Sequence, residues 1–577
     1  MARPIPQRPP PPSTLETVRN ILTSIKYDAF ARGVGLLFLA AAYSSICHLT
    51  LSPVYGGTAA DFAHRPGMLA AGIAGYFLKD RIQRCLGRRA AHFIPVLAFW
   101  IPTIQYFLFK FSSSLGNPAG PVVTDVLTYY PLLLLSVAVS VKIIQYATDL
   151  RARYGELAEE HVPFVGSYVL FLIGEKVANF FISKTIGFIT RSGFQLLLAA
   201  LYSITVPSKL LLLALPSLLF SFTANVHMPF GRPTAVLNST LQEHGYTLIE
   251  RRESVTGYIS ILENAKDGYV ALRCDHSLLG GEWKNTGRNY NPAVKDPIYA
   301  VFAMLEAVRL VKPEGGEHRR PDEDSNALVI GLGIGTTPGA LIAHGIDTTV
   351  VEIDPVVHQF AQEYFHFPKN HTAVIQDAVK FVKKATSKPA HPKYDYIVHD
   401  VFTGGAEPIE LFTVEFLEGL KSLLKDDGAI AINYAGDISL YPAKLVTRTV
   451  RSVFPTCRIF REDPETDNPK HKRDTEDPDS PVPDFTNMVI FCKKTTSSPL
   501  EFRAPTPEDY LGSKSRELYL MPQHEIDASV FDKVSKGEKR ILHAKHMPDI
   551  HTFLTRGAVE HWEIMRTVLP AEVWESW

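Results

Sequence analysis

Cysteine is scarce in this chain: five residues in 577, at Cys47, Cys85, Cys274, Cys457 and Cys492. None forms a CxxC pair, so spacing offers neither a zinc site nor a disulfide framework, and a reducing compartment is the simplest expectation for the polar part. Charge of one sign is also missing. The formal net charge is -1, which leaves no basic field for nucleic acid. No clustered metal-ligand set is legible: His344, His358, His366 and His371 are scattered. The first 13 residues are proline-rich and basic, with no apolar core of a cleavable signal peptide. The basic run at 470–473 lies between acidic flanks and reads as a solvated loop.

What is present is a sharp asymmetry. The chain is 46% hydrophobic overall, but apolar residues concentrate in the first 230. A spanning helix needs about 20 mostly apolar residues. Segments 33–51, 67–78, 90–109, 130–147, 163–189 and 194–222 are read as about six spans, following a proline-rich cytosolic segment at 1–32. Lys and Arg concentrate before residue 33 and between Lys79 and Arg89, whereas the loops near Asp61 and Asp125 are poor in bases. By the positive-inside rule, six crossings put both termini in the cytosol, with the lipid bilayer as one partner. A glycan on either sequon, Asn238-Ser-Thr or Asn370-His-Thr, overturns that topology. Glu175 and Lys176 interrupt the fifth span; pairing or snorkelling explains them, and a transporter with a regulatory domain is the alternative.

The polar half carries chemistry. Residues 246–295 read as a small β domain, and 296–495 alternate strands with helices as a doubly wound α/β domain of the Rossmann, methyltransferase-like type. The role of 496–577 is not legible. The run ALVIGLGIGTTP places Gly331, Gly333 and Gly335 after a buried strand, and VEIDP follows with Glu352 and Asp354. Such a loop lets backbone approach a nucleoside, and an acid about 20 residues on binds a ribose diol. Pro338 stands where GxGxxG counted from Gly333 has its third glycine, which suits an S-adenosylmethionine-type ligand better than a dinucleotide. Asp377 and Asp400 also follow predicted strands, so four placements fall on one rim.

These residues carry a resemblance to the spermidine/spermine synthase (polyamine aminopropyltransferase) family over about 250–495. ESVTGYISILE resembles its early strand, DHSLLGG its LDG turn, and the ungapped stretch YDYIVHDVFTGGAEPIELFTVEFLEGLKSLLKDDG its most specific segment. The resemblance implies that Gly331, Gly333, Gly335, Glu352, Asp354, Asp377 and Ala378 bind the nucleoside. It implies that Asp400 orients and deprotonates an attacking amine, and that Tyr258, Tyr299 and Thr403 contact the acceptor. The donor is then decarboxylated S-adenosylmethionine or S-adenosylmethionine, with no metal and a small-molecule amine or other acceptor. A homodimer is a common family assembly. The departures are specific: Ile334 stands where the family loop has Asp, Thr403 where it has a second Asp, and the His of its YHEM-type segment is absent. Aminopropyl transfer leads by resemblance. Methyl transfer, as in spermidine-synthase-like methyltransferases, is one alternative, and a non-catalytic nucleoside sensor or scaffold is another.

Overall fold

A computed structural model describes residues 26–62, 64–87, 89–284, 294–313, 321–388, 391–401, 408–464, 484–495, 498–534, 538–545 and 550–577. The basic run at 470–473 and Thr403 lie outside them.

The apolar part folds as a helical bundle. Four helices are long and apolar enough to cross a membrane: Tyr27–Tyr55, Arg89–Phe109, Tyr129–Thr148 and Glu156–Thr185. Two of the six expected spans fail that test for legible reasons. Helix His64–Leu86 carries Arg65, Lys79, Asp80, Arg81 and Arg84. The stretch 194–222 breaks into Arg191–Thr205, a tight turn at Lys209–Ala214, and Leu215–Thr223, because Pro207 disfavours helix at Val206 before it. Inside the bundle a polar network bridges the helices. His64 Nδ1 meets Asp125 at 2.7 Å, Ser44 meets His64 Nε2 at 2.9 Å, and Cys47 donates to Asp125 at 3.2 Å. The outer faces are apolar, with Phe188, Ile204 and Leu212 at 91%, 74% and 72% exposure. Such a continuous apolar exterior needs a nonaqueous partner.

Next comes a four-stranded antiparallel sheet in the order β1-β2-β3-β4, with β1 Tyr246–Glu253, β2 Tyr258–Asn264, β3 Tyr269–Cys274 and β4 Ser277–Trp283. The α/β domain adds β5 Asn326–Ile330, β6 Asp347–Glu352, β7 Thr372–Ile375, β8 Tyr394–His399, β9 Leu424–Asp437, β10 Thr456–Arg461, β11 Phe485–Lys493 and β12 His524–Ile526. Its order is β12-β10-β11-β9-β8-β5-β6-β7. β5 to β9 run parallel, and β11, β10 and β12 extend the sheet antiparallel, so it is mixed rather than wholly parallel. β5 lies between β6 and β8, so chain order reverses there, and a ligand crevice opens at the carboxyl ends of the strands. β5 and β8 are buried on both faces, as helices covering both sides of a sheet require.

The cysteine expectation needs correction. Cys457 and Cys492 face each other in the β10–β11 register and form a disulfide. Their separation of 35 residues hides this from spacing, since only cross-strand register brings them together.

Candidate functional site

At the carboxyl rim lies a cavity of about 1130 Å³, walled by the glycine loop, the ends of β6, β8 and β9, and the start of the helix after β7. Gly331 has φ 89°, and a Cβ there would sit 1.9 Å from the Asp400 carbonyl oxygen, so only glycine fits between β5 and β8. Gly333 has φ 55°, and a Cβ there would lie 2.6 Å from the Leu279 carbonyl, where the loop passes under β4. This backbone-lined cradle, with carboxylates around it, fits a nucleoside sulfonium by shape and charge.

Glu352 ends β6. It is buried, and its carboxylate accepts from the Leu332 amide at 2.9 Å and the Asp354 amide at 2.8 Å, which lock it to the glycine loop. Burial pushes its carboxyl up to about 7. Asp377 caps the helix Ala378–Thr386 by accepting from the Lys380 amide at 3.1 Å, and Asp377 and Ala378 both line the cavity. Asp400 follows β8. Its amide donates to Ile330, and its carboxylate accepts from Asn433 Nδ2 at 2.8 Å. Burial raises its carboxyl to about 6, although the group still opens on the cavity. Tyr299 and Asn433 also line the cavity, and neither the buried Tyr299 hydroxyl nor the Asn433 Oδ1 has a hydrogen-bond partner among the described residues.

The structure places three expected residues elsewhere. Asp354 is fully buried away from the cavity. It caps helix Pro355–Tyr364 through the Val356 amide at 2.8 Å and binds the Ser254 and Thr256 hydroxyls at 2.6 and 2.5 Å. It joins the small sheet to the large one. Gly335 begins the helix Thr336–Ala343, where a Cβ would meet the Phe367 ring at 2.5 Å. Tyr258 packs against Trp577, with Arg273 above its ring. Ile334, at the position of the family's missing Asp, points away from the cavity into a core with Leu272 and Phe360.

The C-terminal segment is the main residue set that sequence reasoning missed. Helix His551–Val568 supplies His561, Ile564, Met565 and Val568 to the cavity, and the helical bundle supplies Gly56, Gly57 and Thr58. Arg273 staples these pieces, donating at 2.8 Å to Pro53 O and to Val573 O and at 2.9 Å to Trp574 O. Trp562 donates to Val54 O at 2.9 Å. No motif announces this wall; it is made of apolar helix faces and backbone carbonyls. Among the described residues the lining carries Asp275, Glu352, Asp377, Asp400, Glu410, Glu462 and Asp463 against Lys380. The cavity is therefore strongly acidic and favours cationic ligands. Glu462 accepts from Asn487 at 2.6 Å and the Val301 amide at 2.9 Å, and burial raises its carboxyl.

Residues 315–461 match the spermine/spermidine synthase domain. The chain is 54% identical over 557 residues to the N-terminal histidine N-methyltransferase of Emericella nidulans, covering 94% of this chain and 97% of that protein. It is 38% identical to the polyamine aminopropyltransferase of Vibrio vulnificus, over 38% of this chain and 70% of that one. It is 29% identical to the eEF1A lysine and N-terminal methyltransferase of Bos taurus, over 23% of this chain and 20% of that one. These likenesses correct the leading expectation of aminopropyl transfer and a role in polyamine synthesis. Similarity to the aminopropyltransferase covers 38% of this chain, whereas similarity to the Emericella nidulans methyltransferase covers 94% of it. The molecule is a transferase, and the chain belongs to the spermine/spermidine synthase-domain family.

Proposed function

We propose that this protein is a membrane-anchored, S-adenosylmethionine-dependent N-methyltransferase whose acceptor is the N-terminal histidine of a polypeptide. The observation that carries the reading is the extent of the likeness to the Emericella nidulans enzyme, which covers 94% of this chain and 97% of that protein. The acidic lining supports it, because both the donor and an acceptor chain end are cationic or become so.

The residues divide the work. Gly331 and Gly333 let backbone approach the nucleoside, Glu352 accepts from the ribose hydroxyls, and Asp377 with Ala378 flanks the adenine. When bound, the donor supplies an electrophilic methyl group on sulfonium, leaving as S-adenosylhomocysteine. Asp400 sits at the reacting end. An imidazole attacks through one nitrogen only when neutral, near its ordinary pKa of about 6.5. Asp400 accepts the N–H of the other nitrogen, which fixes the tautomer and balances the imidazolium charge after transfer. Asn433 orients Asp400 through the 2.8 Å contact. Tyr299 and Glu462 face the acceptor side of the same cavity, where an α-ammonium can pair with the carboxylate.

The test is methyl transfer by the full chain in detergent to a short peptide with N-terminal histidine, read by mass spectrometry. Expected is one added methyl on that residue, none on a peptide with only internal histidine, and no product from decarboxylated S-adenosylmethionine with a diamine. Equal methylation of internal histidine would remove the chain-end assignment.

A further inference from the structure

The first apolar helix, Tyr27–Tyr55, fixes two ends of the bundle. Pro53 and Val54 are clamped to the transferase half by Arg273 and Trp562. At the opposite end the Lys26 amide donates to Ala147 O at 3.1 Å, and its ammonium lies 3.6 Å over the Tyr146 ring. Gln145 donates to Glu159 O at 3.1 Å, and Lys142 pairs with Asp80 at that same end. A helix of 29 residues separates its ends by about 44 Å at 1.5 Å per residue, more than the ~30 Å of a hydrocarbon core. The chain entering at Lys26 and the transferase domain therefore lie at opposite ends of a membrane-length bundle.

The charges are sorted between those ends. Lys26, Arg32, Lys79, Arg81, Arg84, Arg89, Lys142 and Arg151 belong to the far end. The transferase end carries fewer, namely Arg65, Lys110, Lys184 and Arg191, and Arg191 is paired with Glu253 and Asp275 of the transferase half. Short-loop Lys and Arg mark the cytosolic side. Two features of the transferase half agree with the other side. Cys457 and Cys492 are joined, as oxidising compartments allow. The Asn370-His-Thr sequon sits in an exposed turn before β7, at the amino ends of the strands and away from the cavity. The other sequon is occupied structurally, since Asn238 Oδ1 accepts from the Leu248 amide at 3.1 Å.

We infer that the transferase domain lies on the non-cytosolic face of its membrane and that Asn370 is an N-glycosylation site. This rests on the reading that the bundle spans a bilayer, and it replaces the even count of crossings that put both ends in the cytosol. In the modification, the Asn370 amide nitrogen forms a C–N bond to the first sugar of a lipid-linked oligosaccharide pyrophosphate. The nitrogen loses one proton, and the sugar–phosphate C–O bond breaks.

The experiment uses the full chain in a eukaryotic host. Resistance to carbonate extraction reads membrane integration separately. Expected is a single-glycan mobility shift removed by an N-glycan amidase, lost in Asn370→Gln and retained in Asn238→Gln. Cys85, exposed at the basic end, is expected to react with an impermeant maleimide in sealed microsomes. An integrated chain without the shift overturns the glycan assignment, and protection of Cys85 overturns the orientation.

Discussion

A carboxylate held near neutrality makes Asp400 the residue whose chemistry is easiest to test. Its carboxyl titrates at about 6 because burial disfavours the charge. The ionised form is the one that accepts the acceptor's N–H hydrogen bond and balances the imidazolium charge. We expect kcat/KM to rise from pH 5 to 7 with a slope approaching two, as Asp400 near 6 and the acceptor imidazole near its usual ~6.5 both lose a proton, and then to flatten. Asp400→Asn should lower kcat by about 10²-fold or more and reduce that slope to one, while S-adenosylhomocysteine binding changes little by calorimetry. The linkage has the opposite sign for stability. A carboxyl raised above its usual ~3.9 binds its proton more tightly folded than unfolded, so its contribution is fully present below about 4 and is lost as pH rises through about 6. The unliganded Asp400→Asn protein should therefore melt higher at pH 7 than the wild type. The placement of Asp400, Asp377 and Glu352 on the cavity rim was legible because each ends or follows an apolar run. That Tyr258 and Asp354 lie off the cavity was not, because sequence places a residue near a strand end without saying which way it faces.

Within the elements, the glycine loop and the joint between the sheets decide two predictions. Ile334 seemed to report loss of the carboxylate that in the family helps hold the donor's aminopropyl amine. In the fold it packs against Leu272 and Phe360, and a Cβ on Gly280 would lie 3.1 Å from it. Ile334→Asp should not confer aminopropyl transfer. It should destabilise the protein by several kcal/mol, reflecting an unpaired buried charge and a lost apolar contact, read as a fall in the melting temperature. Asp354→Ala removes a helix cap and the acceptor of the Ser254 and Thr256 hydroxyls. A loss of about 2 kcal/mol or more is expected in denaturant unfolding, with the small sheet exchanging its amide hydrogens faster. The bundle shows the same division. Four long helices were evident from composition, whereas charges within His64–Leu86 and the proline break at 207 leave the other two expected spans short of the same length and hydropathy.

For the molecule as a whole, the bundle supplies part of the cavity wall. Gly56 to Thr58 and the helix His551–Val568 close the cavity opposite the glycine loop, and Arg273 holds them together from a nearly fully buried position. Arg273→Ala leaves three carbonyls without their donor. The expected result is at least a 10-fold rise in the KM for peptide, with S-adenosylhomocysteine affinity within about 3-fold, since ~1.4 kcal/mol corresponds to each factor of ten. A change confined to donor affinity would show that this wall serves the nucleoside instead. Removal of 551–577 should abolish peptide binding by the same measurement.

By itself the sequence determined the class of each half and the rim of the cavity, because hydrophobic period, glycine placement and strand-terminal acids are local properties. Chemistry at the acceptor end was not local. It depends on which way Ile334 and Tyr258 point, on a C-terminal helix with no motif, and on carbonyls presented by a membrane-length helix. Cross-strand register alone paired Cys457 with Cys492, and bundle geometry alone set the basic end apart from the transferase end. Those outcomes required packing between segments hundreds of residues apart, and only the tertiary structure decided them.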